Sequence, residues 1–266
     1  MNAEHPTPLV FITGASSGIG QALALACLRR GWRVALVARR ASVLQEQIQA
    51  WSQQLPRLED RARAYAADVC DHDSLEQAAM DCMAQMGVPD IVIANAGISL
   101  GVDTSQREDL EVMRKVLDTN VLGVAASFQP FVQAMRQRGR GQLVGIASVA
   151  GIRGLPGHAA YCASKAAVIS YCESLRGELR ESGIRVSTIA PGYVATPLTS
   201  RNRYPMPFLM SADAFAEQAL RTMVSGASYR VIPWPMGLVA KLLRLLPDGL
   251  FDRAFRGRPR KHRHNG

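Results

Sequence analysis

The feature that most constrains this chain is an alternation between short apolar runs and longer stretches of helical composition. The apolar runs are rich in β-branched residues and occupy 8–13, 33–38, 62–67, 90–95, 142–147 and 184–190. Nearly continuous apolar strands separated by helices are typical of a parallel sheet that is covered on both faces. The pattern therefore predicts an α/β fold built on a doubly wound parallel sheet.

A single domain accounts for most of the chain. The sequence has no Pro/Gly-rich linker before about residue 200 and no internal repeat. Its 266 residues suffice for one sizeable core and lie near the upper limit for one domain. We therefore predict one α/β domain over 1–230, followed by a C-terminal amphipathic helical extension with a basic tail over 231–266.

Charge and cysteine usage exclude several classes of protein. The formal net charge is +9, but six Lys or Arg and no acid lie from Arg253 to the C-terminus, so the remainder carries only +3. A nearly balanced body argues against a nucleic-acid-binding protein. The five cysteines form no CxxC pair and have no His at metal-ligand spacing, which indicates reduced thiols and no metal site. No secretory signal or membrane-spanning apolar run is present, so we expect a cytoplasmic protein.

A glycine-rich segment, TGASSGIGQAL, follows the first predicted strand and opens a helical segment over 18–30. Its glycines stand at 14, 18 and 20, and serines stand at 16 and 17. Such a loop lets backbone N–H groups approach a pyrophosphate at the positive end of the helix dipole. The segment indicates a dinucleotide site. The alternative is a tight strand-to-helix turn that binds no ligand.

The end of the second predicted strand bears on the choice of cofactor. An acid about 20 positions beyond the glycines would hold the ribose hydroxyl of NAD, but no Asp or Glu lies between Arg33 and Gln45. Arg39 and Arg40 stand there instead, and guanidinium groups bind phosphate through paired charge-assisted hydrogen bonds. The arginines therefore predict NADP (NADPH) as the cofactor, the alternative being a solvated Arg pair at a helix start.

Several motifs in register carry a resemblance to one family. TGASSGIG, ANAG at 94–97, Asn120, Ser148, YCASK at 161–165 and PGYVAT at 191–196 together resemble the short-chain dehydrogenases/reductases over about residues 8–225. One departure is Ala94, where the family usually has Asn. The resemblance implies a Rossmann-type fold and an NADP-preferring enzyme with TGxxxGxG and YxxxK motifs.

The resemblance also implies a catalytic set of Asn120, Ser148, Tyr161 and Lys165. Tyr161 would act as general acid/base, and Lys165 lies four positions on, on the same helical face. A cation this close is expected to lower a tyrosine pKa from its ordinary value of about 10. Ser148 would bind the substrate oxygen, and Asn120 would complete a proton relay through water to Lys165. For Asn120 the alternative is a polar helix residue bonded to backbone.

The cofactor contacts that the resemblance implies follow the strand ends. Lys165 would hold the nicotinamide ribose, Asp68 and Val69 would contact adenine, and the segment 191–196 would enclose the nicotinamide. The full predicted cofactor set is Gly14, Ser16, Ser17, Gly18, Ile19, Gly20, Arg39, Arg40, Asp68, Val69, Asn95, Ala96, Gly97, Tyr161, Lys165, Pro191, Gly192, Val194 and Thr196.

These residues predict an NADP(H)-dependent oxidoreductase that interconverts a carbonyl and a secondary alcohol. The irregular segment 197–212 is typical of an active-site lid. Its apolar residues favour a hydrophobic substrate, whereas Arg201 and Arg203 favour an anionic one. Two alternatives stay open: a reductase of 3-oxoacyl groups on an acidic carrier protein, which a basic surface would attract, and a non-catalytic NADP-binding sensor or scaffold.

Two further partners are predicted from apolar surface. The segments 105–137 and 158–181 carry more of it than one sheet face can cover, which favours a homodimer or homotetramer. In the extension, apolar residues surround Lys241 and Arg244, a pattern typical of an interfacial membrane helix. We therefore expect a weak, reversible contact with anionic membranes at the periphery. The alternative is that this helix packs over the substrate site or at a subunit interface.

Overall fold

The protein is built on one parallel sheet, seen here in a computed structural model that describes residues 7–200, 202 and 205–257. Within these residues the sheet contains β1 (Leu9–Thr13), β2 (Arg33–Ala38), β3 (Ala62–Ala66), β4 (Ile91–Ala94), β5 (Gly141–Ile146), β6 (Ile184–Pro191) and β9 (Tyr229–Ile232). The order across the sheet is β3-β2-β1-β4-β5-β6-β9, and every pair is parallel. Two short strands, β7 (Val194–Ala195) and β8 (Met210–Ser211), pair separately. The predicted doubly wound sheet is confirmed.

Helices connect the strands and cover both faces of the sheet. They are α1 (Gly18–Arg29), α2 (Ala41–Ser52), α3 (His72–Met86), α4 (Asp109–Leu117), α5 (Gly123–Arg138), α6 (Ala159–Glu178), α7 (Ala212–Ser225), α8 (Trp234–Leu245) and α9 (Asp248–Phe255). A π-helical turn, Asp118–Leu122, joins α4 to α5, and 3₁₀ turns occupy Val149–Gly151 and Arg180–Ser182.

The central strand β1 shows why the strands read as unbroken apolar runs. All five of its residues are buried, because side chains on both faces of the strand meet helices. Ile12 belongs to the core that also contains Leu23 of α1 and Phe215 of α7. Phe11 belongs to the opposite core, where its ring meets that of Phe131 edge to face at 4.7 Å. One strand therefore contributes to two hydrophobic cores.

The seventh strand, β9, was not predicted from the sequence. It contributes only four residues, two of them exposed, and pairs with β6 from Tyr229 through Ile232. An edge strand this short lacks the apolar run that marks the buried strands. The predicted boundary at residue 230 therefore falls inside β9, and the extension as a separate element begins after it, with α8.

Strand order determines where a ligand can bind. The chain builds β1, β2 and β3 toward one edge and then crosses back to place β4 on the other side of β1. Such a reversal opens a crevice at the carboxyl ends of the two central strands. Gly14 directly follows β1, and Asn95 directly follows β4. Both predicted motifs therefore border this crevice.

The catalytic candidates reach the same crevice through the connection from β5 to α6. Ser148 lies just beyond β5 and is the N-cap residue of the 3₁₀ turn Val149–Gly151. Its hydroxyl accepts a hydrogen bond from the Ala150 amide at 3.1 Å. A methyl group on Gly151 would lie 2.7 Å from the backbone carbonyl of Lys165. Because glycine stands there, the turn packs directly against the helix that carries Tyr161 and Lys165.

Candidate active site

The crevice is a cleft of about 930 Å³, within the range of cofactor and ligand pockets. Nearly all the predicted site residues line it. From the predicted sets these are Gly14, Ser16, Ser17, Gly18, Ile19, Arg39, Asp68, Val69, Asn95, Ala96, Gly97, Ser148, Tyr161, Lys165, Pro191, Gly192, Val194 and Thr196. Three predicted residues do not line it: Gly20, Arg40 and Asn120.

The glycine-rich loop presents the start of α1 to the cleft. Gly14 has φ of +67°, and a side chain on it would lie 2.8 Å from the Ala96 Cα, so only glycine fits without strain. Ser17 is the N-cap of α1, yet its side chain makes no capping hydrogen bond, and the first turn contains no acid. The first N–H groups of the helix therefore lack the side-chain acceptors that usually satisfy them. An anion in the cleft would satisfy them instead.

Gly20 has a structural role that the sequence prediction did not distinguish from ligand contact. A Cβ there would collide with the Gly14 carbonyl and stand 2.5 Å from the Asn95 side-chain amide. That amide donates to the carbonyls of Thr13 and Gly14 at 3.1 and 3.2 Å. Gly20 therefore lets α1 approach the loop that Asn95 holds in place.

The two arginines at the end of β2 differ in position. Arg39 lines the cleft, with its Nη1 3.9 Å from Asp68 Oδ2, and its side chain is 75% exposed. Arg40 is the N-cap residue of α2 and lies outside the cleft lining. The cofactor role predicted for both arginines stays a prediction, and of the two only Arg39 lines the cleft.

Ser148, Tyr161 and Lys165 converge on the far side of the cleft. Tyr161 and Ser148 both line the cleft, and the Ser148 hydroxyl lowers the pKa of the Tyr161 phenol. The Lys165 Nζ lies 5.9 Å from the centre of the Tyr161 ring and donates to the Ile146 carbonyl at 2.9 Å. The structure thus brings two hydroxyls and one buried ammonium to a common wall.

Burial has the largest effect on the pKa values of Tyr161 and Lys165. It raises the pKa of Tyr161 to about 12, against a smaller lowering by the Ser148 hydroxyl. It also lowers the pKa of Lys165 to about 8. The expected lowering of the tyrosine pKa is therefore wrong, because desolvation outweighs the effect of the Ser148 hydroxyl.

Asn120 lies in the π-helical turn and is fully buried. Its Oδ1 accepts from the Ile98 amide at 2.8 Å, while its Nδ2 donates to the Ile98 carbonyl and to Ser164 Oγ, each at 2.9 Å. Its side chain is thus bonded to backbone, as the alternative prediction held. The proposed relay to Lys165 stays a prediction.

A methyl group on Gly97 would stand 3.2 Å from Asn120 Oδ1 and 3.5 Å from Lys165 Nζ. Because residue 97 is glycine, the cleft stays open beside the Asn120 and Lys165 side chains. Together with the uncapped start of α1 and the exposed guanidinium of Arg39, the cleft of about 930 Å³ fits a nicotinamide dinucleotide lying along the strand ends.

The wall contributed by α4 was missed by the sequence reasoning. Glu111, Arg114 and Lys115 of α4 line the cleft, as do Asp118 and Thr119 of the π-helical turn that follows. These residues follow no strand end and match no motif, so only the packing of α4 could identify them. Arg201 and Arg203, predicted in the lid, lie outside the described residues.

Comparisons with known proteins agree with this geometry. A sequence model of the family described as short chain dehydrogenase matches residues 8–206. The chain is 40% identical over 261 residues to an uncharacterized oxidoreductase of Myxococcus xanthus, covering 96% of this chain and 98% of that protein. It is 32% identical to dehydrogenase/reductase SDR family member 7B of Bos taurus, covering 99% of this chain and 85% of the other.

A solved structure extends the comparison to a ligand-bound relative. The crystal structure of an actinorhodin polyketide ketoreductase variant with NADPH is similar with a TM-score of 0.76 and 26% identity, covering 85% of this chain and 95% of that one. The family match, the relatives and the shared sheet all agree. The chain belongs to the short-chain dehydrogenase/reductase family of oxidoreductases.

Proposed function

We propose that this protein is an NADP(H)-dependent oxidoreductase that interconverts a carbonyl and a secondary alcohol on a hydrophobic substrate. The observation that carries the proposal is that Ser148, Tyr161 and the buried Lys165 line the same cleft, which fits a dinucleotide. A protein that only senses or scaffolds has no physical need for this combination of side chains.

The cofactor would lie with its pyrophosphate on the N–H groups at the start of α1, next to Ser16 and Ser17. Arg39 would contact the 2′-phosphate, Asp68 and Val69 would flank the adenine, and Lys165 would hold the nicotinamide ribose. The bound nicotinamide supplies or accepts a hydride. NADPH in the related ketoreductase structure supports the choice of cofactor.

Tyr161 would move the proton that accompanies hydride transfer. With its pKa raised to about 12, the hydroxyl is protonated at neutral pH and can donate to a carbonyl oxygen. Ser148 would donate a second hydrogen bond to the same oxygen and stabilise its developing negative charge. Lys165 is charged below its pKa of about 8 and would stabilise that charge further. We assign Asn120 the relay of protons to Lys165.

The substrate class follows from the side chains around the cleft. Ile98, Leu100 and Leu198 line it, and Phe208 and Leu209 lie exposed on the segment predicted as a lid. Apolar walls favour a hydrophobic ketone or alcohol. The net charge of +9 favours, as a second candidate, 3-oxoacyl groups on an acidic carrier protein.

The decisive experiment combines NADPH oxidation against ketones, aldehydes and 3-oxoacyl thioesters with the variant Tyr161→Phe. We expect Tyr161→Phe to lower turnover by about 10²-fold or more, the size of a general acid-base contribution, and to bind NADPH nearly as the wild type does. Tyr171→Phe, a tyrosine of the same helix outside the cleft lining, is the matched control and should keep its activity. Near-full activity of Tyr161→Phe would refute the assignment.

Two further partners belong to the same proposal. Leu110 and Leu122, both exposed, lie on the α4–α5 surface, which we assign to a homodimer or homotetramer interface.

None of the described helices is long and apolar enough to cross a bilayer. We infer a cytoplasmic protein with peripheral membrane contact through α8.

The outer face of α8 supports that contact. Trp234, Leu238, Leu242 and Leu245 are 54–80% exposed and recur at three- and four-residue spacing, so they form one stripe. Lys241 and Arg244 are exposed beside it, and basic residues continue from Arg253 along the sequence. This charge is complementary to an anionic leaflet, where each Lys or Arg contributes about 1 kcal/mol.

A further inference from the structure

The loop that joins Ser148 to Tyr161 is attached to the C-terminal extension by one side chain. Arg153 stands in this loop, and its side chain is only 12% exposed. Its Nη1 donates hydrogen bonds to the carbonyls of Leu243, Arg244 and Leu246 at 2.7, 3.0 and 2.9 Å. All three carbonyls lie at the C-terminal end of α8.

This end of α8 is a suitable partner for a guanidinium group. The last carbonyls of a helix have no intrahelical donor, and together they carry partial negative charge. The Arg153 Nη2 adds a hydrogen bond to Asp248 Oδ1 at 2.8 Å, at the start of α9. The planar fork of one arginine thus spans the junction between the two helices, which a point charge could not do.

The same guanidinium also contacts the inner face of α9. Its Cζ lies 4.2 Å from the centre of the Phe251 ring, a cation–π distance, and Phe251 is only 5% exposed. Phe251 in turn stacks on Phe255 at 4.4 Å. Arg153 therefore holds both helices of the extension, by hydrogen bonds to one and by ring contact to the other.

A second contact joins the extension to the nicotinamide end of the cleft. A methyl group on Gly192 would lie 2.8 Å from the Met236 Cγ of α8, and Met236 is buried. Gly192 itself lines the cleft. The extension consequently packs against two loops that carry cleft residues, one ending at Tyr161 and the other containing Gly192.

We propose that Arg153 is a positioning residue: it fixes α8 and α9 against the loop between Ser148 and Tyr161, and thereby holds these two hydroxyls in register for proton transfer. The proposal rests on the catalytic roles given above to Ser148 and Tyr161. It assigns the extension to the framework of the active site rather than to a separate appendage, and it predicts that damage to this contact lowers turnover while cofactor binding persists.

The test compares Arg153→Ala and Arg153→Lys with a control, Arg244→Ala, in the full-length protein. Arg244→Ala removes a charge from the same helix turn but leaves the carbonyl that Arg153 uses. Hydrogen exchange is followed in peptides from 149–158 and 234–255. Steady-state kinetics use the best substrate of the carbonyl panel, and NADPH affinity is measured by fluorescence titration.

We expect Arg153→Ala to raise exchange in both segments and to lower kcat at least tenfold, with NADPH affinity unchanged within about threefold. Arg153→Lys keeps the charge but not the fork, so it should recover part of the loss. The control Arg244→Ala should match the wild type in hydrogen exchange, kcat and NADPH affinity. If Arg153→Ala unfolds, Phe251→Leu weakens the same junction from the other side and should give the same pattern more weakly.

Unchanged exchange in Arg153→Ala would overturn the docking role, and released helices with unaltered kcat would overturn the positioning role. Equal losses of NADPH binding and turnover would also overturn it, because they would indicate general destabilisation. Failure of the catalytic assignment itself is seen separately, as high activity of Tyr161→Phe with a normal exchange pattern.

Discussion

Replacing Arg39 by Gln should narrow the preference for NADPH over NADH by about tenfold. Arg39 reaches the cleft at the end of β2, and its ion pair with Asp68 is loose, with 3.9 Å between Nη1 and Oδ2 and both side chains substantially exposed. A pair of this kind contributes about 0–1 kcal/mol, so it leaves the guanidinium available to a phosphate.

The expected magnitude follows from the exposure of the arginine. A hydrogen bond to a charged group contributes about 1.5–3 kcal/mol when it is well sheltered. Because the Arg39 side chain is 75% exposed, we take the lower end of this range. About 1.4 kcal/mol corresponds to a tenfold change in affinity. NADH lacks the 2′-phosphate, so its affinity should change by less than about threefold.

The assay is fluorescence titration of both reduced cofactors at low and at moderate ionic strength. Arg40→Gln is the matched control, because Arg40 is the neighbouring residue and lies outside the cleft lining. Raising the ionic strength should weaken NADPH binding to the wild type more than to Arg39→Gln. The reasoning fails if Arg39→Gln weakens both cofactors equally, or if Arg40→Gln alters the preference more than Arg39→Gln does.

Two further predictions concern the lysine and the exposed helix face. The pKa of Lys165 is lowered to about 8, so the residue is charged below this pH and neutral above it. The value of kcat/KM for carbonyl reduction should therefore fall as the pH rises through about 8. The variant Lys165→Arg stays charged, so it should have a lower overall rate but lack this decline. A pH profile from 6 to 10 that is flat for the wild type would contradict this. The double variant Leu238→Glu, Leu242→Glu should abolish co-sedimentation with anionic vesicles at low salt and keep NADPH affinity; wild-type protein that fails to co-sediment would exclude the membrane contact.

The strands were predictable because burial on both faces forces them to be apolar throughout. All six apolar runs lie within one residue of a strand's bounds, and the run at 33–38 matches β2 at both ends. The edge strand β9 was not predicted because it pairs on one side only and exposes Tyr229 and Arg230, so it need not be apolar throughout. The sequence pattern thus locates the other edge strand, β3, and the five strands between the edges, and it misses β9.

The site was predictable to the extent that its residues follow strand ends. Gly14, Asn95 and Ser148 each follow a strand of the parallel sheet, and topology alone brings them to one edge. Arg40, the N-cap residue of α2, does not line the cleft, and Arg114 was not predicted because it reaches the cleft through the packing of α4. The spacing of motifs along the sequence identifies residues that follow a strand end. The orientation of α2 and α4 depends instead on tertiary contacts, which the spacing does not reveal.

Helical spacing brings Tyr161 and Lys165 to one face, but it does not decide the sign of their pKa shifts. Desolvation by burial raises the pKa of Tyr161 to about 12 and lowers the pKa of Lys165 to about 8. A protonated phenol beside a charged ammonium is a proton donor at neutral pH. This protonation state supports the proposed role of Tyr161 as the proton donor in carbonyl reduction, and oxidation of an alcohol would first require removal of the Tyr161 proton.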